Sequence, residues 1–284
     1  MSNGFLEQGF AAEQAGEPER AEGLYREALA AGEANAGYYL GEVLIELGRA
    51  AEAVPVLEEV LRDGDADAHL AMGNALWDLE DEEGAERHFR AAADAGEIAG
   101  VHNLGLFLHD HDRLEEAVPL LRRSVAAGHT EPRLLAEALA DYGAQLQDAD
   151  RLEEAEAALR EAIEGGAGEA YVYLASVLGH QGEDEEDDAV LRAGAVRGVA
   201  SAELQLGNVL SEDDPTSPEA EALYRRAIEH GEVAGHNNLG VLLWDAERHE
   251  EAEAEFRTAI AAGDDVAQQN LDGLLAERGQ RNGH

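Results

Sequence analysis

Large apolar residues recur along the chain in pairs four positions apart, a spacing that places both members on one face of an α-helix. The pairs include Leu40 with Leu44, Met72 with Leu76, Leu104 with Leu108, and Leu239 with Leu243. A second set of large apolar residues follows in a regular series: Leu24, Leu57, Phe89, Leu121, Leu159, Leu191, Tyr224 and Phe256. The pattern therefore predicts an all-α chain in which two kinds of amphipathic helix alternate.

The same sequence motif recurs along the whole chain. GEIAGVHNLGLFL, which starts at Gly96, reappears at Gly231 as GEVAGHNNLGVLL. A closing glycine marks every copy, at intervals of 32 to 38 residues: Gly32, Gly64, Gly96, Gly128, Gly166, Gly198, Gly231 and Gly263. Such glycines suit the left-handed position just after a helix. A second glycine, as at Gly73, lies inside most first helices, where we expect it to let a neighbouring helix approach closely.

The spacing predicts eight helix pairs and a final helix, within a single domain over residues 1–277. The predicted repeats cover residues 2–32, 33–64, 65–96, 97–128, 129–166, 167–198, 199–231 and 232–263, followed by a capping helix at 265–277 and a tail at 278–284. Pro18 and Pro218 suit the first turn of a helix. Asp112 and Asp150, each followed three residues later by Glu, predict helix N-caps. Because each pair can bury its apolar face only against its neighbours, the expected architecture is an α-solenoid.

The charge is strongly negative, with 62 acidic residues against 20 basic ones and a net charge of −42. All the basic residues are arginine, and cysteine is absent. A polyanion of this kind repels nucleic acid and acidic lipid surfaces, so we expect neither as a partner. The absence of cysteine, of a signal-like N-terminus and of any long apolar run favours a cytoplasmic protein.

The phrase LGLFLHDHDRLEEAVPLLRRSV resembles a tetratricopeptide repeat. The match consists of the Leu-Gly-x-x-Leu segment, an alanine twelve residues after the glycine, and a large apolar residue four further on; here these are Leu104, Gly105, Leu108, Ala117 and Leu121. The closing half, as in AAADAGEIAGVHNLG, is similar to Sel1-like repeats. The resemblance covers nearly the whole chain and implies a right-handed α-solenoid that serves as a scaffold for protein–protein contacts.

By analogy with that family, the first helix of each pair lines the concave side and carries the ligand-binding residues. The expected peptide-binding groove consists of Tyr38, Tyr39, Asn74, Trp77, His102, Asn103, His109, Asn208, Asn237, Asn238 and Trp244. Two asparagine pairs recur across adjacent repeats, Asn74 with Asn103 and Asn208 with Asn238. An amide both donates and accepts, so it suits recognition of a peptide backbone, although asparagines in these places can equally cap or pack locally.

Nearly all arginines fall in second helices or turns, with Arg133 as the exception. A groove that binds a terminal carboxylate needs cations on its inner wall. We therefore expect a neutral or basic peptide or helix as the partner, and not an acidic C-terminal tail. The alternative is a structural solenoid that self-assembles through its terminal helices; we expect a monomer, with a homodimer as the other possibility.

No signature of catalysis or of a cofactor occurs, so the sequence predicts no enzyme, no catalytic residues and no cofactor. HDHD at residues 109–112 and EDEEDD at residues 183–188 contain metal-binding side chains. Four consecutive residues at a helix end do not converge easily on one ion, and the acidic run lacks the glycine spacing of a calcium loop. We therefore predict no metal site.

Overall fold

The computed structural model describes residues 4–182 and 184–281. Within these ranges the chain forms seventeen α-helices joined by short turns. It divides into two compact units, the first extending to Leu135 and the second beginning at Ala136, inside the helix Pro132–Asp148. None of the described helices is both long enough and apolar enough to cross a membrane.

The first unit contains four helix pairs, in which each helix packs against the next one along the chain. Its helices are α1 Phe5–Gln14, α2 Pro18–Ala30, α3 Ala36–Glu46, α4 Ala50–Arg62, α5 Ala68–Asp78, α6 Glu82–Asp94, α7 Ile98–Asp110 and α8 Leu114–Ala126. The odd-numbered member is the first helix of each pair. The core consists of the apolar residues that the helical spacing marks, among them Leu40, Leu44, Phe89, Leu104 and Leu108.

The second unit continues the alternation of first and second helices. Its helices are α9 Pro132–Asp148, α10 Leu152–Glu164, α11 Ala170–Gln181, α12 Asp184–Val196, α13 Ala200–Asp213, α14 Pro218–Glu229, α15 Gly235–Asp245, α16 His249–Ala261 and α17 Asp265–Arg281. Successive helices from α10 onwards pack together, and neighbouring first helices also touch, as α13 does with α15. The first helices from α11 onwards therefore share a continuous surface, as do α3 and α5 in the first unit. We call the surface that the odd-numbered helices form in either unit the first-helix surface.

The helix ends follow the glycine pattern but not the predicted aspartate caps. All eight closing glycines have positive φ, between 73° and 99°, as predicted. The prediction that Asp112 and Asp150 cap helices is wrong, because α8 begins at Leu114 and α10 at Leu152 without a side-chain cap. Both aspartates instead adopt left-handed φ values of 56° and 59° in the turns between paired helices.

The glycines inside the first helices lie directly under large side chains of the second helices. A Cβ on Gly73 would come within 2.5 Å of the Phe89 ring, and a Cβ on Gly9 within 2.2 Å of the Tyr25 ring. This confirms the expected close approach of the paired helices. It also corrects one position, because Tyr25, and not the partly buried Leu24, is the fully buried large residue of α2.

Two helices differ from the common length. The six extra residues of repeat five lengthen α9 to 17 residues, whereas α3 and α5 have 11 each. The final helix α17 runs to Arg281, four residues beyond the predicted end at Glu277. Leu271 and Leu274 of α17 are buried in the core that includes α15 and α16. Of the predicted tail, residues 282–284 lie outside the described residues.

Candidate functional site

The structure brings the first predicted asparagine pair together. Asn103 on α7 donates a hydrogen bond from Nδ2 to Oδ1 of Asn74 on α5, at 2.7 Å, and both side chains are half-buried. Among the described residues, Nδ2 of Asn74 and Oδ1 of Asn103 have no hydrogen-bond partner. The pair therefore keeps a donor and an acceptor side by side, which is the combination that a peptide group requires.

The second asparagine pair is held more firmly. Asn238 on α15 donates to Oδ1 of Asn208 on α13 at 2.7 Å, and the same oxygen accepts from the Tyr224 hydroxyl at 3.0 Å. That hydroxyl also lies 2.9 Å from Oγ of Ser211, and burial raises the pKa of Tyr224. Polar groups that satisfy one another in this way fix the orientation of the amides.

A third asparagine pair also joins neighbouring first helices, at different positions within the repeat, and was not predicted. Asn270 on α17 donates from Nδ2 to Oδ1 of the predicted groove residue Asn237 on α15, at 2.9 Å. Asn270 lies 33 residues after Asn237. The two predicted pairs are separated by 29 and 30 residues, so their spacing does not identify this one.

The two predicted tryptophans are partly buried by neighbouring side chains. The ring of Trp77 packs edge-on against Phe89 and Phe107, at centroid distances of 5.7 and 5.9 Å. The indole N–H of Trp244 donates to a carboxylate oxygen of Glu277 on α17, at 2.7 Å. Trp77 thus joins the edge of the core, and Trp244 links the last helix pair to α17, so each ring has an internal partner.

The predicted tyrosines lie in an aromatic cluster beside acidic groups. Tyr39 packs against Phe10 with ring centroids 4.6 Å apart, and Tyr38 packs edge-on against Tyr39 at 5.2 Å. The Tyr38 hydroxyl donates to Glu42 at 2.8 Å. Burial raises the pKa of Glu42, although the hydrogen bond from Tyr38 opposes this shift. Burial also raises the pKa of Glu97, and the nearby carboxylates of Asp67 and Glu42 raise it further. The cluster thus places the rings of Tyr38 and Tyr39 beside partly buried acidic groups.

The predicted histidines have different surroundings. Nδ1 of His102 lies 2.7 Å from the hydroxyl of Thr130, and burial, followed by the nearby His129, lowers the pKa of His102. Nδ1 of His109 lies 3.9 Å from Oδ1 of its neighbour Asp110. Within residues 4–182 and 184–281, no three side chains of the metal-binding types are grouped as they would be around an ion. The acidic run considered above falls partly outside these ranges, at Glu183.

A histidine pair in the first unit escaped the sequence analysis. Nδ1 of His69 on α5 lies 2.9 Å from Nδ1 of His88 on α6, and both side chains are half-buried. Burial lowers the pKa of His88 to about 4, and His69 and Arg87 lower it further, whereas Asp81 opposes the shift. The pair contributes to packing within one repeat, and its neutral form is favoured.

The arginines form a repeating ion network along the second helices. Glu86 on α6 accepts from Arg90, one turn later, at 2.7 Å, and from Arg113, ahead of α8, at 2.8 Å. Arg113 also pairs with Glu116 at 2.7 Å. The same four-residue arrangement occurs at Glu22, Arg26, Arg49 and Glu52, and at Glu221, Arg225, Arg248 and Glu251. Although burial raises the pKa of Glu86, its arginine partners lower it overall.

One carboxylate of a first helix is buried with its own partners. Glu203 on α13 is fully buried and contacts the guanidinium of Arg226 and Nδ1 of His230, the latter at 2.7 Å. Arg226 belongs to α14, and His230 is the residue directly after that helix. This cluster joins α13 to α14, and it corresponds to no pattern that the sequence analysis recognised.

Helix pairs that repeat at intervals near 32 residues and stack on their neighbours define a helical-repeat protein, an α-solenoid. The tetratricopeptide repeat family matches residues 6–68, 38–100 and 217–267, which together make up just over half of the chain. The chain therefore belongs to the tetratricopeptide repeat family. No curated protein matches the sequence.

Several solved structures are similar to this chain. The C-terminal part of a TPR repeat-containing protein from Cytophaga hutchinsonii is 12% identical with a TM-score of 0.56, over 81% of this chain and 98% of that one. A protective antigen of uropathogenic Escherichia coli with an SLR fold is 20% identical with a TM-score of 0.43, over 96% and 72%. A Sel1 repeat protein from Oxalobacter formigenes is 20% identical with a TM-score of 0.46, over 78% and 96%. The predicted solenoid of helix pairs is confirmed.

Proposed function

We propose that this chain is a scaffold that binds an extended, neutral to basic peptide segment of another protein along its first-helix surface. Tetratricopeptide repeats generally mediate protein–protein interaction, and such scaffolds are generally not enzymes. We extend both statements to this chain. We place it in the cytoplasm as a monomer, because a cysteine-free chain suits a reducing compartment and a large net charge opposes self-association.

The asparagine pairs carry the proposal. Each pair joins first helices of adjacent repeats, Asn74 to Asn103 in one unit and Asn208 to Asn238 in the other. The bond inside a pair uses only part of its hydrogen-bonding capacity, because each amide has two donor hydrogens and two acceptor positions. What remains matches the N–H and C=O groups of an extended main chain and does not depend on the peptide's side chains.

The distribution of charge supports the choice of peptide. The repeated ion network, exemplified by Glu86 with Arg113 and Glu221 with Arg248, engages arginines with carboxylates of the second helices. In unit one, burial instead raises the pKa values of Glu42 on the first helix α3 and of Glu97, directly ahead of the first helix α7. A further carboxylate from a ligand would meet repulsion there, whereas a neutral or cationic segment would not.

A peptide array graded in charge tests the proposal. We expect neutral and basic peptides to bind and acidic peptides to be excluded. The double variant Asn208→Ala with Asn238→Ala should weaken binding about tenfold or more, since each lost hydrogen bond contributes about 1 kcal/mol. Thr258→Ala, an exposed change on the second helix α16, serves as the control and should leave affinity unchanged. Circular dichroism would verify that every variant is folded.

Two results would overturn the proposal. Acidic peptides binding better than basic ones would contradict the charge argument, and unaltered affinity in the asparagine variant would place the ligand elsewhere. Light scattering across a dilution series addresses the self-assembling alternative. A mass that stays at the value of one chain on dilution supports the monomeric scaffold, whereas a larger mass, or one that rises with protein concentration, supports a structural solenoid.

A further inference from the structure

A cleft adjoins the asparagine pair of the second unit. Its volume is about 470 Å³, and it lies among α13, the turn that follows α13, α14 and α15. The residues that matter for its chemistry are Asn208, Glu212, Tyr224, Asn238, Val241 and Asp245. Through Gln205 it adjoins a second cleft of about 460 Å³ on α11 to α13. A peptide on the first-helix surface would therefore have room to continue beyond the amide pair.

One wall of the cleft is rigid and polar. The buried hydroxyl of Tyr224 donates to Oδ1 of Asn208, which also accepts from Asn238. These bonds are internal, so the wall needs no rearrangement to receive a ligand. The adjacent Val241 has 37% of its surface exposed, and it supplies an apolar contact beside the polar groups.

Two carboxylates occupy the exposed part of the same cleft. Glu212 lies near the end of α13 and Asp245 ends α15, and both side chains are exposed. Neither forms an ion pair with any described residue, and no arginine or histidine lines the cleft. By contrast, Glu221 on the second helix α14 already holds Arg225 and Arg248. The cleft therefore combines two carboxylates without ion-pair partners with a polar wall and an apolar contact at Val241.

We propose that this cleft binds a cationic side chain, arginine or lysine, of a peptide whose main chain contacts the Asn208–Asn238 pair. The methylene stem of such a side chain packs against Val241, while its charged head pairs with Glu212 and Asp245. A neutral side chain would leave both carboxylates uncompensated, and an acidic one would be repelled. This inference rests on the proposed function and adds to it a recognition element with side-chain specificity.

The test uses labelled nonapeptide pools in which the central residue is fixed as arginine, lysine, norleucine or glutamate and the flanks are mixtures of neutral residues. Fluorescence anisotropy would compare wild type with the double variant Glu212→Gln and Asp245→Asn. The control, Glu229→Gln with Glu250→Gln, removes the same net charge from exposed positions on α14 and α16. We expect the cleft variant to bind arginine and lysine pools about tenfold more weakly, the scale of one charge-assisted hydrogen bond. The control should change their affinity less than twofold, and the norleucine pool should be unaffected by either variant.

The outcomes separate this inference from the proposed function. Equal binding of the arginine, lysine and norleucine pools, or equal losses in the cleft and control variants, would overturn the cationic pocket while leaving the peptide scaffold intact. Binding of no pool to wild type, or preferential binding of the glutamate pool, would overturn both. Selective loss of the cationic pools in the cleft variant alone supports both.

Discussion

Replacing Gly73 by alanine tests the close packing on which the repeat depends. The new Cβ would lie 2.5 Å from the Phe89 ring, which is fully buried. Carbon atoms normally approach to about 3.5–4.0 Å, so the ring has to move by about 1 Å or more. Trp77 and Phe107 pack against that ring and limit its movement. Overpacking of this kind costs about 1–3 kcal/mol, and the higher helix propensity of alanine returns about 1 kcal/mol. We expect a net loss of about 0–2 kcal/mol relative to the wild type, and therefore a lower stability than that of a glycine replaced without a clash.

Gly23 on α2 provides a matched control, because a Cβ there would meet no neighbouring atom within 4 Å. Gly23→Ala should raise the free energy of unfolding by about 1 kcal/mol through helix propensity alone. Urea unfolding followed by circular dichroism measures both variants, with the slope of the transition checked for changes in cooperativity. If Gly73→Ala proves as stable as Gly23→Ala, Gly73 has no packing role.

The remaining predictions concern a half-buried histidine and the final helix. His88 has a pKa near 4 in the folded protein, whereas an unfolded histidine titrates near 6.5. Between these two pH values only the unfolded chain binds a proton at this histidine. The free energy of unfolding therefore falls as pH drops from about 6.5 towards 4, by about 1 kcal/mol after allowance for partial exposure. His88→Gln should remove this part of the pH dependence in urea unfolding; an unchanged profile would contradict it. Leu274→Ala, at a fully buried site of α17, should cost about 2–4 kcal/mol, whereas Leu275→Ala, 41% exposed, should cost under about 0.5 kcal/mol. Equal effects in thermal unfolding would show that α17 is not packed as described.

Much of the fold is predictable from the sequence because the same pattern of apolar residues and glycines recurs in successive repeats. The closing glycines adopt positive φ as expected, since only glycine takes this conformation without strain. The prediction of aspartate caps is wrong because the Asp-x-x-Glu spacing occurs both at helix N-caps and in the turns between paired helices. Asp112 and Asp150 occupy a tight turn that needs positive φ, and the helix begins two residues later. The Asp-x-x-Glu spacing does not distinguish an N-cap aspartate from a turn aspartate, whereas the number of residues between the two paired helices does.

The candidate site was predictable where it depends on the repeat and not where it depends on stacking. Each predicted asparagine pair combines the residue one after the helix glycine of one repeat with the residue two before the helix glycine of the next, and the structure places both pairs within hydrogen-bonding distance. The bond between Trp244 and Glu277 depends on how α17 packs against the last pair, which the sequence pattern does not define. The pairing of Glu86 with Arg113, 27 residues apart, does recur at the repeat interval and could have been found by comparing charges across repeats.

The central claim is that a peptide partner lies on the first-helix surface, and photo-crosslinking tests it most directly. A photoreactive residue would replace Val241 on α15 in one variant and Thr258 on α16 in another; both positions are exposed. Each variant would be irradiated with neutral and basic labelled peptides. We predict crosslinks from position 241 and none above background from position 258. Crosslinking mainly from position 258 would show that the second helices bind the peptide, and it would contradict the account.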